Sequence, residues 1–419
     1  MTGLKPPPLR NDCFALPAGV EWTPVDSALA MLRDRLGPVT GVERRPLAQA
    51  LGAVLAADAV ARRASPPQAN SAVDGYGFAG AVPEGAHVMP LADGRAAAGV
   101  PFDGVLPTGR ALRVLTGAAL PEGVETVILE EDVTLGDGEI AFRGPLKRGA
   151  NTRKAGEDVA AGAVVLPEGR RLTPADLALL SSVGIAEVAV RATLRVAILS
   201  TGDELTEPGA EAGPGQIYDA NRPMLCALAQ RLGYRVCDMG RVPDDRAALR
   251  ATLDRAAQEA DVILTSGGAS AGDEDHVSAL LREVGAMQQW RIALKPGRPL
   301  ALGLWQGKPV FGLPGNPVAA MVCALVFARP ALAVLAGEAW AEPQGFDLPA
   351  GFEKRKKPGR REYLRARVRA GRVEVFASEG SGRVSGLSWA EGLVEIGDDG
   401  RHIRPGDLVR FIPYGGFGL

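Results

Sequence analysis

The spacing of apolar positions changes along the chain, and its clearest pattern starts at Arg195. From there, short continuous apolar runs alternate with longer segments whose apolar residues recur every three or four positions. Continuous runs are typical of strands covered on both faces of a parallel sheet, and the longer segments are typical of amphipathic helices. The alternation therefore predicts a doubly wound, mostly parallel α/β domain over residues 191–340.

Helical patterns precede this domain. Thr23 and Pro24 stand before an apolar stripe at helical spacing, so we expect Thr23 to cap a helix with proline at its first position. A second helix-like piece covers Pro46 to Ala57. A third follows Thr173 and Pro174, which repeat the same capping pattern. These segments predict a helical N-terminal part.

Two regions contain short β-like runs separated by glycine and proline, one before the α/β domain and one after it. The first interrupts the helical pattern, and we interpret it as a β-rich domain inserted into a helical one. The second is a terminal β domain. The predicted boundaries are 1–61 with 155–190 for the helical domain, 62–154 for the inserted β-rich domain, 191–340 for the α/β domain and 343–419 for the C-terminal domain.

Composition and charge exclude several classes of function. The chain has 419 residues, 46% hydrophobic and 23% charged, which is ordinary for a globular protein of two to four domains. A net charge of −2 predicts no general affinity for nucleic acid or anionic membranes, and no uninterrupted apolar run is long enough to span a bilayer, so a cytoplasmic protein is expected. Three scattered histidines and four cysteines without CxxC spacing disfavour a histidine or zinc centre and disulfides. Chemistry is left to carboxylates, hydroxyls, Lys, Arg and the backbone.

One stretch, Asp261 to His276 (DVILTSGGASAGDEDH), combines a strand, a glycine-rich polar loop and a helix start. Backbone N–H groups and small hydroxyls at a helix N-terminus form a cradle for an anion such as phosphate. The carboxylates beside the loop would repel a bare anion, so the pattern favours a phosphate-bearing ligand together with Mg²⁺. A plain turn between a strand and a helix has a similar composition and stays the alternative.

Four polar clusters, TGDE, TSGG, KPGRP and LPGNP, each follow a predicted strand. Parallel strands end at one edge of an open sheet, where ligands bind, so we expect the clusters to converge there. Asp203 and Glu204 are candidate metal ligands with Asp244 and Asp275, and the two cations of KPGRP suit phosphate or pterin oxygens. The cofactor-binding candidates are Thr201, Gly202, Ser266, Gly267, Gly268, Ser270, Gly272, Lys295, Arg298, Pro314 and Pro317.

Other polar residues are less informative from their surroundings. Asp74 and Thr116 lie in small, tightly turning segments of the inserted domain, and on local grounds they read as ordinary turn residues. The basic run 353–362 lacks stacking aromatics apart from Tyr363, so a solvated edge strand is favoured over a nucleic-acid site.

Eight motifs taken together are far more specific than any one of them. They are SAVDGYGF (71–78), LTGAALPEG (115–123), RKAGEDV (153–159), STGDEL (200–205), IYDANR (217–222), TSGGASAGDEDH (265–276), KPGRP (295–299) and LPGNP (313–317). In this order the chain resembles the molybdopterin molybdenumtransferase family of the MoeA type, which includes the E domain of gephyrin. The resemblance implies a homodimer with a molybdopterin-binding α/β domain and a C-terminal β-barrel. It also implies a reaction in which adenylylated molybdopterin is hydrolysed, AMP leaves and molybdate is inserted with Mg²⁺.

Carried over residue by residue, the resemblance implies catalytic roles for five residues: Asp74, Thr116, Asp158, Glu204 and Asp275. It implies magnesium binding by Glu204, Asp244 and Asp275. The first three catalytic residues would come from the other subunit, across the dimer cleft. The terminal domain departs from the family's GSHILSSLA pattern and reads GSGRVSGLSWAEGL (380–393). Ser385 is the best match for a functional, cofactor-binding serine there, and Ser381 is the alternative.

Two other classes of function are alternatives to the transferase. A gephyrin-like dimeric scaffold is disfavoured because no segment predicts a receptor partner. A standalone molybdopterin adenylyltransferase or binding module would share the TSGG loop but would lack the inserted domain with DGYGF and LTGAALP. We therefore expect the transferase. The choice between molybdate and tungstate, and the docking site of the oxyanion, stay open at this stage.

Overall fold

The computed structural model describes residues 22–267, 276–284, 287–297 and 299–419, with the backbone alone for residues 287–290 and 299. The chain divides into two compact units. One is Val42–Val190, called the inserted unit below. The other combines Met1–Gly41 with Arg191–Leu419 and is called the main unit.

The first helix of the main unit, α1 (Val25–Arg35), begins one residue later than predicted. Thr23 is still extended, because its N–H donates to the Arg291 carbonyl at 2.9 Å and its carbonyl accepts from the Ala293 N–H at 2.8 Å. Pro24 occupies the N-cap position without a side-chain hydrogen bond. The prediction of a helix here is confirmed, but the capping role given to Thr23 is wrong.

The inserted unit consists mainly of short strands. Its elements are β1 (Val42–Pro46), a 3₁₀ turn (Leu47–Gln49), β2 (Ala59–Val60), β3 (Asn70–Ser71), β4 (Gly75–Phe78), β5 (Val82–Ala96), β6 (Ala111–Val114), β7 (Thr126–Leu129), a 3₁₀ turn (Glu130–Asp132), β8 (Val133–Gly136), β9 (Glu139–Leu146), β10 (Thr152–Arg153), β11 (Val164–Leu166), α2 (Pro174–Ser182) and β12 (Glu187–Arg191).

A six-stranded sheet with the order β7-β4-β6-β5-β9-β8 forms the β-rich part of this unit. Helix α2 starts as predicted: the Thr173 hydroxyl accepts from the Asp176 N–H, and the Asp176 carboxylate accepts from the Thr173 N–H at 2.8 Å. Pro174 occupies the first turn, where its missing N–H removes no hydrogen bond. The reciprocal bonds satisfy two backbone groups that a helix start otherwise leaves unpaired.

The helix predicted at Pro46 to Ala57 is absent. Pro46 ends β1, and a single 3₁₀ turn follows it. Gly52 has φ +74°, and Leu55 forms a bridge with Val190 of β12. The apolar residues of this stretch are buried by strand pairing instead of by one face of a helix, so the prediction is wrong.

The main unit carries the remaining elements. They are β13 (Arg195–Thr201), β14 (Leu205–Thr206), β15 (Ile217–Tyr218), α3 (Asn221–Arg231), β16 (Arg235–Val242), α4 (Arg246–Glu259), β17 (Val262–Ser266), α5 (His276–Glu283), β18 (Met287–Arg291), β19 (Leu294–Lys295), β20 (Pro299–Trp305), β21 (Lys308–Leu313), α6 (Pro317–Cys323), a π-helical turn (Ala324–Ala328), α7 (Arg329–Leu335), β22 (Phe346–Pro349), β23 (Lys354–Lys356), β24 (Arg361–Arg369), β25 (Arg372–Val375), α8 (Ser385–Trp389), β26 (Gly392–Ile396), β27 (Arg401–Ile403), β28 (Leu408–Pro413) and a 3₁₀ turn (Tyr414–Phe417).

The first sheet of the main unit has the order β16-β13-β17-β21-β20-β18. The first four strands are parallel, and β20 is antiparallel to both of its neighbours, β21 and β18. Alternate residues of β13 enter two different cores: Val196 and Ile198 pack with α1, α3 and α7, whereas Ala197 and Leu199 pack with α4 and α5. Helices cover both faces of the sheet and bury its central strands β13 and β17, so the predicted doubly wound α/β architecture is confirmed.

A second sheet follows in the C-terminal part, with the order β19-β24-β26-β28-β22 and β25 paired to β24. Apart from the parallel pair β19 and β24, its neighbouring strands are antiparallel. The terminal β domain is therefore present, and the fold class predicted from the sequence is confirmed.

The segment Pro317–Leu335 is a long apolar helix, 19 residues including its π-helical turn. Its length and composition are sufficient for a membrane span, but Arg329 interrupts its apolar residues, so it is not the uninterrupted apolar run that the sequence lacks. Within the protein, 83% of its apolar window is buried. A core helix that packs on all sides has the same composition.

Candidate active site at the carboxyl edge of the sheet

Three adjacent parallel strands of the main unit end side by side. β13 ends at Thr201, β17 at Ser266 and β21 at Leu313, and the register aligns Ser200 with Ser266 and Ser266 with Leu313. The TGDE loop, the start of the TSGG loop and the LPGNP loop therefore leave the sheet at one edge. We call this the carboxyl edge.

Gly267 brings these loops into contact. It has φ +89°, and a Cβ at this position would lie 2.7 Å from the Thr201 carbonyl oxygen and 2.9 Å from Thr201 Oγ1. Its N–H donates to the Leu313 carbonyl at 3.2 Å. The left-handed backbone and the lack of space both require glycine. The carboxyl edge is thus packed as tightly as a protein core.

A buried polar network lies behind the edge, at the start of α3. Asp219, only 1% exposed, accepts from the Ser200 hydroxyl at 2.5 Å and from the N–H groups of Asn221 and Arg222 at 3.1 Å. The Arg222 guanidinium contacts Asp219 at 3.3 Å and Asp238 at 2.5 Å. Burial alone would lower the pKa of Arg222, but these carboxylates raise it, so the network keeps its charges paired.

Asn221 connects this network to two loops of the edge. Its Nδ2 donates to Ser266 Oγ at 2.7 Å and to the Gly315 carbonyl at 2.6 Å. Pro314, the residue before Gly315, is buried, and Pro317 opens helix α6. The predicted binding residues Ser266, Pro314 and Pro317 therefore sit on segments that hydrogen bonds or packing hold in place.

The predicted carboxylates of the edge lie on two loops. The Asp203 N–H donates to the Asp244 carboxylate at 3.2 Å, and the Asp244 N–H donates to the Asp203 carboxylate at 3.1 Å. The exposed Glu204 carboxyl group lies over Gly202, with Cδ 2.8 Å from where a Cβ on that glycine would stand. These side chains offer carboxylate oxygens as metal ligands, on the loops where the sequence predicted a metal site.

Several predicted site residues lie outside the described residues: Gly268, Ser270, Gly272, Asp275 and Arg298. Over the part of the chain that the structure describes, no group of three or more His, Cys, Asp or Glu side chains is arranged to hold a metal. The predicted trio of Glu204, Asp244 and Asp275 includes one of the residues outside that part.

Lys295 is placed differently from the prediction. It ends β19, which pairs with β24, so KPGRP does not follow a strand of the first sheet. Its Nζ lies 2.6 Å from the Glu379 carboxylate and 3.6 Å from that of Glu362. A Cβ on Gly297 would stand 3.7 Å from the Ala319 side chain, so this loop packs against α6, the helix that follows LPGNP. Because β20 starts at Pro299 and runs antiparallel to β21, the end of KPGRP lies at the edge where β21 ends, as predicted.

A cavity of about 190 Å³ opens beside Lys295. Its charged lining consists of Lys295, Glu353, Lys354, Arg365 and Glu379, and we call it the C-terminal cavity. Glu379 bridges the two lysines. Burial raises the pKa of Glu379, but the hydrogen bonds from Lys295 and Lys354 outweigh burial and hold it below its usual range.

Arg365 supports the loop that lines this cavity. The guanidinium is buried and donates to the carbonyls of Arg383 at 2.7 Å and Gly380 at 3.2 Å. A Cβ on Gly386 would stand 2.5 Å from Arg365 Nη1, so the glycine that replaces a larger residue of the family pattern leaves room for this side chain. Burial lowers the pKa of Arg365.

The two candidate serines of the terminal domain differ in surroundings. Ser385 is exposed at the start of α8. The Ser381 carbonyl accepts from the Val318 N–H at 3.1 Å, which places Ser381 against the first turn of α6. Of the two, Ser381 is the one whose backbone contacts the segment after LPGNP.

In the inserted unit, Asp74 and Thr116 form a pair. The Thr116 N–H donates to Asp74 Oδ1 at 2.5 Å, and the Thr116 hydroxyl donates to the same oxygen at 2.7 Å. These two hydrogen bonds hold the pKa of Asp74 below its ordinary value, and the bond from the N–H has the larger effect. Asp158, also predicted to be catalytic, is exposed, and its N–H donates to the Ser65 carbonyl at 3.0 Å.

Comparisons with known proteins cover most of the chain. Three family models match: the MoeA N-terminal region (domain I and II) over residues 23–184, the probable molybdopterin binding domain over 197–334 and the MoeA C-terminal region (domain IV) over 347–414. The molybdopterin molybdenumtransferase of Haemophilus influenzae is 36% identical over 397 residues, which cover 93% of this chain and 98% of that protein. The chain belongs to the molybdopterin molybdenumtransferase family.

Further members support the assignment. Molybdopterin molybdenumtransferase 2 of Mycobacterium tuberculosis is 35% identical over 380 residues, 87% of this chain and 93% of that protein. The crystal structure of the molybdopterin biosynthesis MoeA protein from Pyrococcus horikoshii matches with a TM-score of 0.81 at 30% identity, over 94% of this chain and all of that one. The resemblance stated from the motifs, the assignment as a transferase and the place in molybdenum cofactor biosynthesis are confirmed.

The site predicted from the sequence did not include the residues behind the carboxyl edge. IYDANR contributed to the resemblance, yet Asp219, Asn221 and Arg222 received no role. A local signal for Asp219 was available. An Asp just before a helix typically accepts hydrogen bonds from the N–H groups of the helix's first residues, here Asn221 and Arg222. Only the fold shows that Asn221 also reaches two loops that lie far along the chain.

Proposed function

We propose that this protein inserts molybdate into adenylylated molybdopterin, with hydrolysis of that substrate and release of AMP, in a magnesium-dependent reaction. One observation carries the proposal: in a member of this family, the loops after β13, β17 and β21 converge at a single carboxyl edge. Open α/β sheets bind phosphate-bearing ligands at this position. Thr201 and Ser266 end β13 and β17 at this edge, and in the proposed reaction their hydroxyls would contact the pyrophosphate.

The proposed chemistry has two parts. Water adds across the pyrophosphate bond, so that its oxygen stays on one phosphate and AMP leaves as a phosphate monoester. The dithiolene sulfurs of molybdopterin then bind the molybdenum of molybdate, and oxygen is lost as water. Negative charge is high throughout, so the protein's part is to hold and orient anions with hydroxyl and N–H donors.

The carboxylates of the edge have the ligand chemistry that a magnesium ion requires. Mg²⁺ prefers oxygen ligands and is usually held by one or two carboxylates together with substrate phosphates. Glu204 and Asp244, with Asp275, would hold it, and Asp203 is tied to Asp244 through reciprocal hydrogen bonds. Bound there, the ion would neutralise phosphate charge.

The decisive experiment measures AMP released from adenylylated molybdopterin by the purified protein. Release is compared with Mg²⁺ and with EDTA, each with and without molybdate, and with tungstate in a parallel series. The proposal expects magnesium- and oxyanion-dependent AMP release together with active cofactor, assayed by reconstitution of an apo-molybdoenzyme. Tight binding without release would favour the scaffold or binding-module functions instead, and absence of binding would overturn the proposal.

We also propose that the protein is a homodimer in which each site combines the carboxyl edge of one subunit with Asp74, Thr116 and Asp158 of the other. Its support is the family resemblance, together with an Asp74 carboxylate that is exposed and ionised beside Thr116. A heterodimer of Asp74→Ala and Glu204→Ala subunits, purified through two different tags, tests the arrangement.

Shared sites predict that this heterodimer keeps about half of the wild-type activity, because one of its two sites carries both changes and the other carries none. The two homodimers serve as controls and should be inactive. If each subunit supplies its own Asp74 and Glu204, every site is damaged and the heterodimer is inactive too. Failure to recover any heterodimer would contradict the dimer itself.

A further inference from the structure

Asn221 occupies a position from which one side chain reaches two loops of the carboxyl edge. It is the first residue of α3, 7% exposed, and donates from Nδ2 to Ser266 Oγ and to the Gly315 carbonyl. In sequence, these partners lie 45 and 94 residues away. The side chain therefore sets the spacing between the loop that follows β17 and the loop that follows β21.

The orientation of the Asn221 amide is fixed by its partners. A backbone carbonyl only accepts hydrogen bonds, so the nitrogen, and not the oxygen, must face Gly315. The Asn221 N–H is anchored to Asp219, which is buried and also bound by the Ser200 hydroxyl. Asn221 Oδ1 is buried and has no partner among the described residues, so the side chain acts here as a donor.

This direction has a consequence for Ser266. A serine hydroxyl has one proton and two lone pairs. Since Ser266 Oγ accepts from Asn221, one lone pair is occupied and the hydroxyl proton is directed to another acceptor. Under the proposed function, a ligand oxygen at the carboxyl edge would be that acceptor. The bond from Asn221 would then leave the Ser266 hydroxyl as a donor toward the ligand.

We propose that Asn221 is a positioning residue for the transferase reaction, which holds the loops at Ser266 and Gly315 together and fixes the Ser266 hydroxyl as a donor to a phosphate oxygen of the substrate. The inference rests on the proposed function for its ligand. It does not require Asn221 to touch the substrate.

The main test uses Asn221→Asp, which keeps the size of the side chain but replaces its donors with acceptors. The carboxylate would accept the Ser266 proton and oppose the Gly315 carbonyl, so the direction of the hydrogen bond reverses. We expect kcat/KM for AMP release to fall by about tenfold to a hundredfold near pH 8, because a misdirected group in the site loses its orientation. Relative to wild type, activity should partly recover toward pH 6 as the buried carboxyl becomes protonated and regains a donor.

A double-mutant cycle separates positioning from general destabilisation. If Asn221 acts through Ser266, the combined Asn221→Ala and Ser266→Ala variant loses less than the product of the two single losses. Asp238→Asn is the matched control, because it removes a contact of Arg222 in the same network but leaves both Asn221 bonds in place. Its kinetics should stay within about twofold of wild type. Losses that multiply, without pH recovery in Asn221→Asp, would overturn the proposal.

A second measurement needs no substrate. Amide hydrogen exchange, followed by mass spectrometry, reports on peptides that cover 262–267 and 308–317. Asn221→Ala should increase exchange in both peptides, and Asp238→Asn should increase it in neither. If wild type releases no AMP, the proposed reaction fails while this measurement still decides whether Asn221 joins the loops. Unchanged exchange in both peptides would refute the inference whatever the activity.

Discussion

The carboxyl edge and the C-terminal cavity belong to the same unit but are held together by different forces. At the edge, Gly267 packs against Thr201 and buried hydrogen bonds join Ser200, Asp219 and Asn221. In the C-terminal cavity, Glu379 bridges two lysines, and its side chain is 48% exposed. Packing and buried hydrogen bonds respond little to salt, whereas partly exposed ion pairs are screened by it. We therefore expect the stability of the packing at the edge to depend little on salt, and the ion pairs of the cavity to weaken with it.

The largest effect should come from Gly267→Ala. The new Cβ would collide with the Thr201 carbonyl, and the residue would also have to adopt φ +89°. We expect a loss of about 3 kcal/mol in the free energy of unfolding, measured by urea denaturation, with activity reduced further because the TGDE and TSGG loops must separate.

Gly307→Ala is its matched control. Gly307 has φ +77° in the turn between β20 and β21, but nothing lies within 4 Å of its missing Cβ. Gly307→Ala should lower the free energy of unfolding by about 1 kcal/mol, from the strained backbone conformation alone. Equal losses in the two variants would show that the edge is not tightly packed.

Ser200→Ala should have an intermediate effect. It removes one of the donors that bind buried Asp219 at 2.5 Å, and a buried carboxylate that loses a partner typically costs about 1–3 kcal/mol. Urea denaturation at low and high salt measures the loss, which should be nearly the same at both. Ser182→Ala, at an exposed hydroxyl that donates to the Leu179 carbonyl, should change stability by less than about 0.5 kcal/mol. A marked salt dependence for Ser200→Ala would contradict the contrast drawn above.

The smallest effect is expected for Glu379→Gln, at most about 1 kcal/mol at neutral pH because the pair is half exposed. The folded-state pKa of Glu379 is lowered, so its contribution is fully present above the ordinary value of 4.5 and is lost as pH falls through the lower folded-state value. The difference from wild type should therefore shrink as pH falls below 4.5, and also with added salt. A difference that stayed constant with pH would mean that Glu379 is not held by charge.

The sequence predicted those parts of the fold that depend on local pattern. The strands that end at Thr201, Ser266 and Leu313 are continuous apolar runs followed by glycine-rich loops, and all three were recognised. The cap at Thr173 was predicted as well, because its partner Asp176 is three residues away. Such features are visible within a short window.

The errors concern contacts between distant residues. WRIALKP reads as one strand, but it divides into β18 of the first sheet and β19 of the second, since β19 pairs with β24 about 67 residues later. Pro46–Ala57 has helical spacing but pairs with β12 and the segment before α2. The role of Asn221 was invisible for the same reason, as both its partners are remote.

The division of that strand has a mechanical consequence. The chain leaves the first sheet at Arg291 and enters the second at Leu294. The residues between them carry further bonds, from Ala293 to the Thr23 carbonyl and from Arg361 to the Ala293 carbonyl, at 2.8 Å each. Backbone hydrogen bonds therefore hold the chain on both sides of this junction, and a hinge motion here would have to break them. A displacement of the C-terminal sheet would move Leu294 and Lys295, and with them the loop that packs on α6.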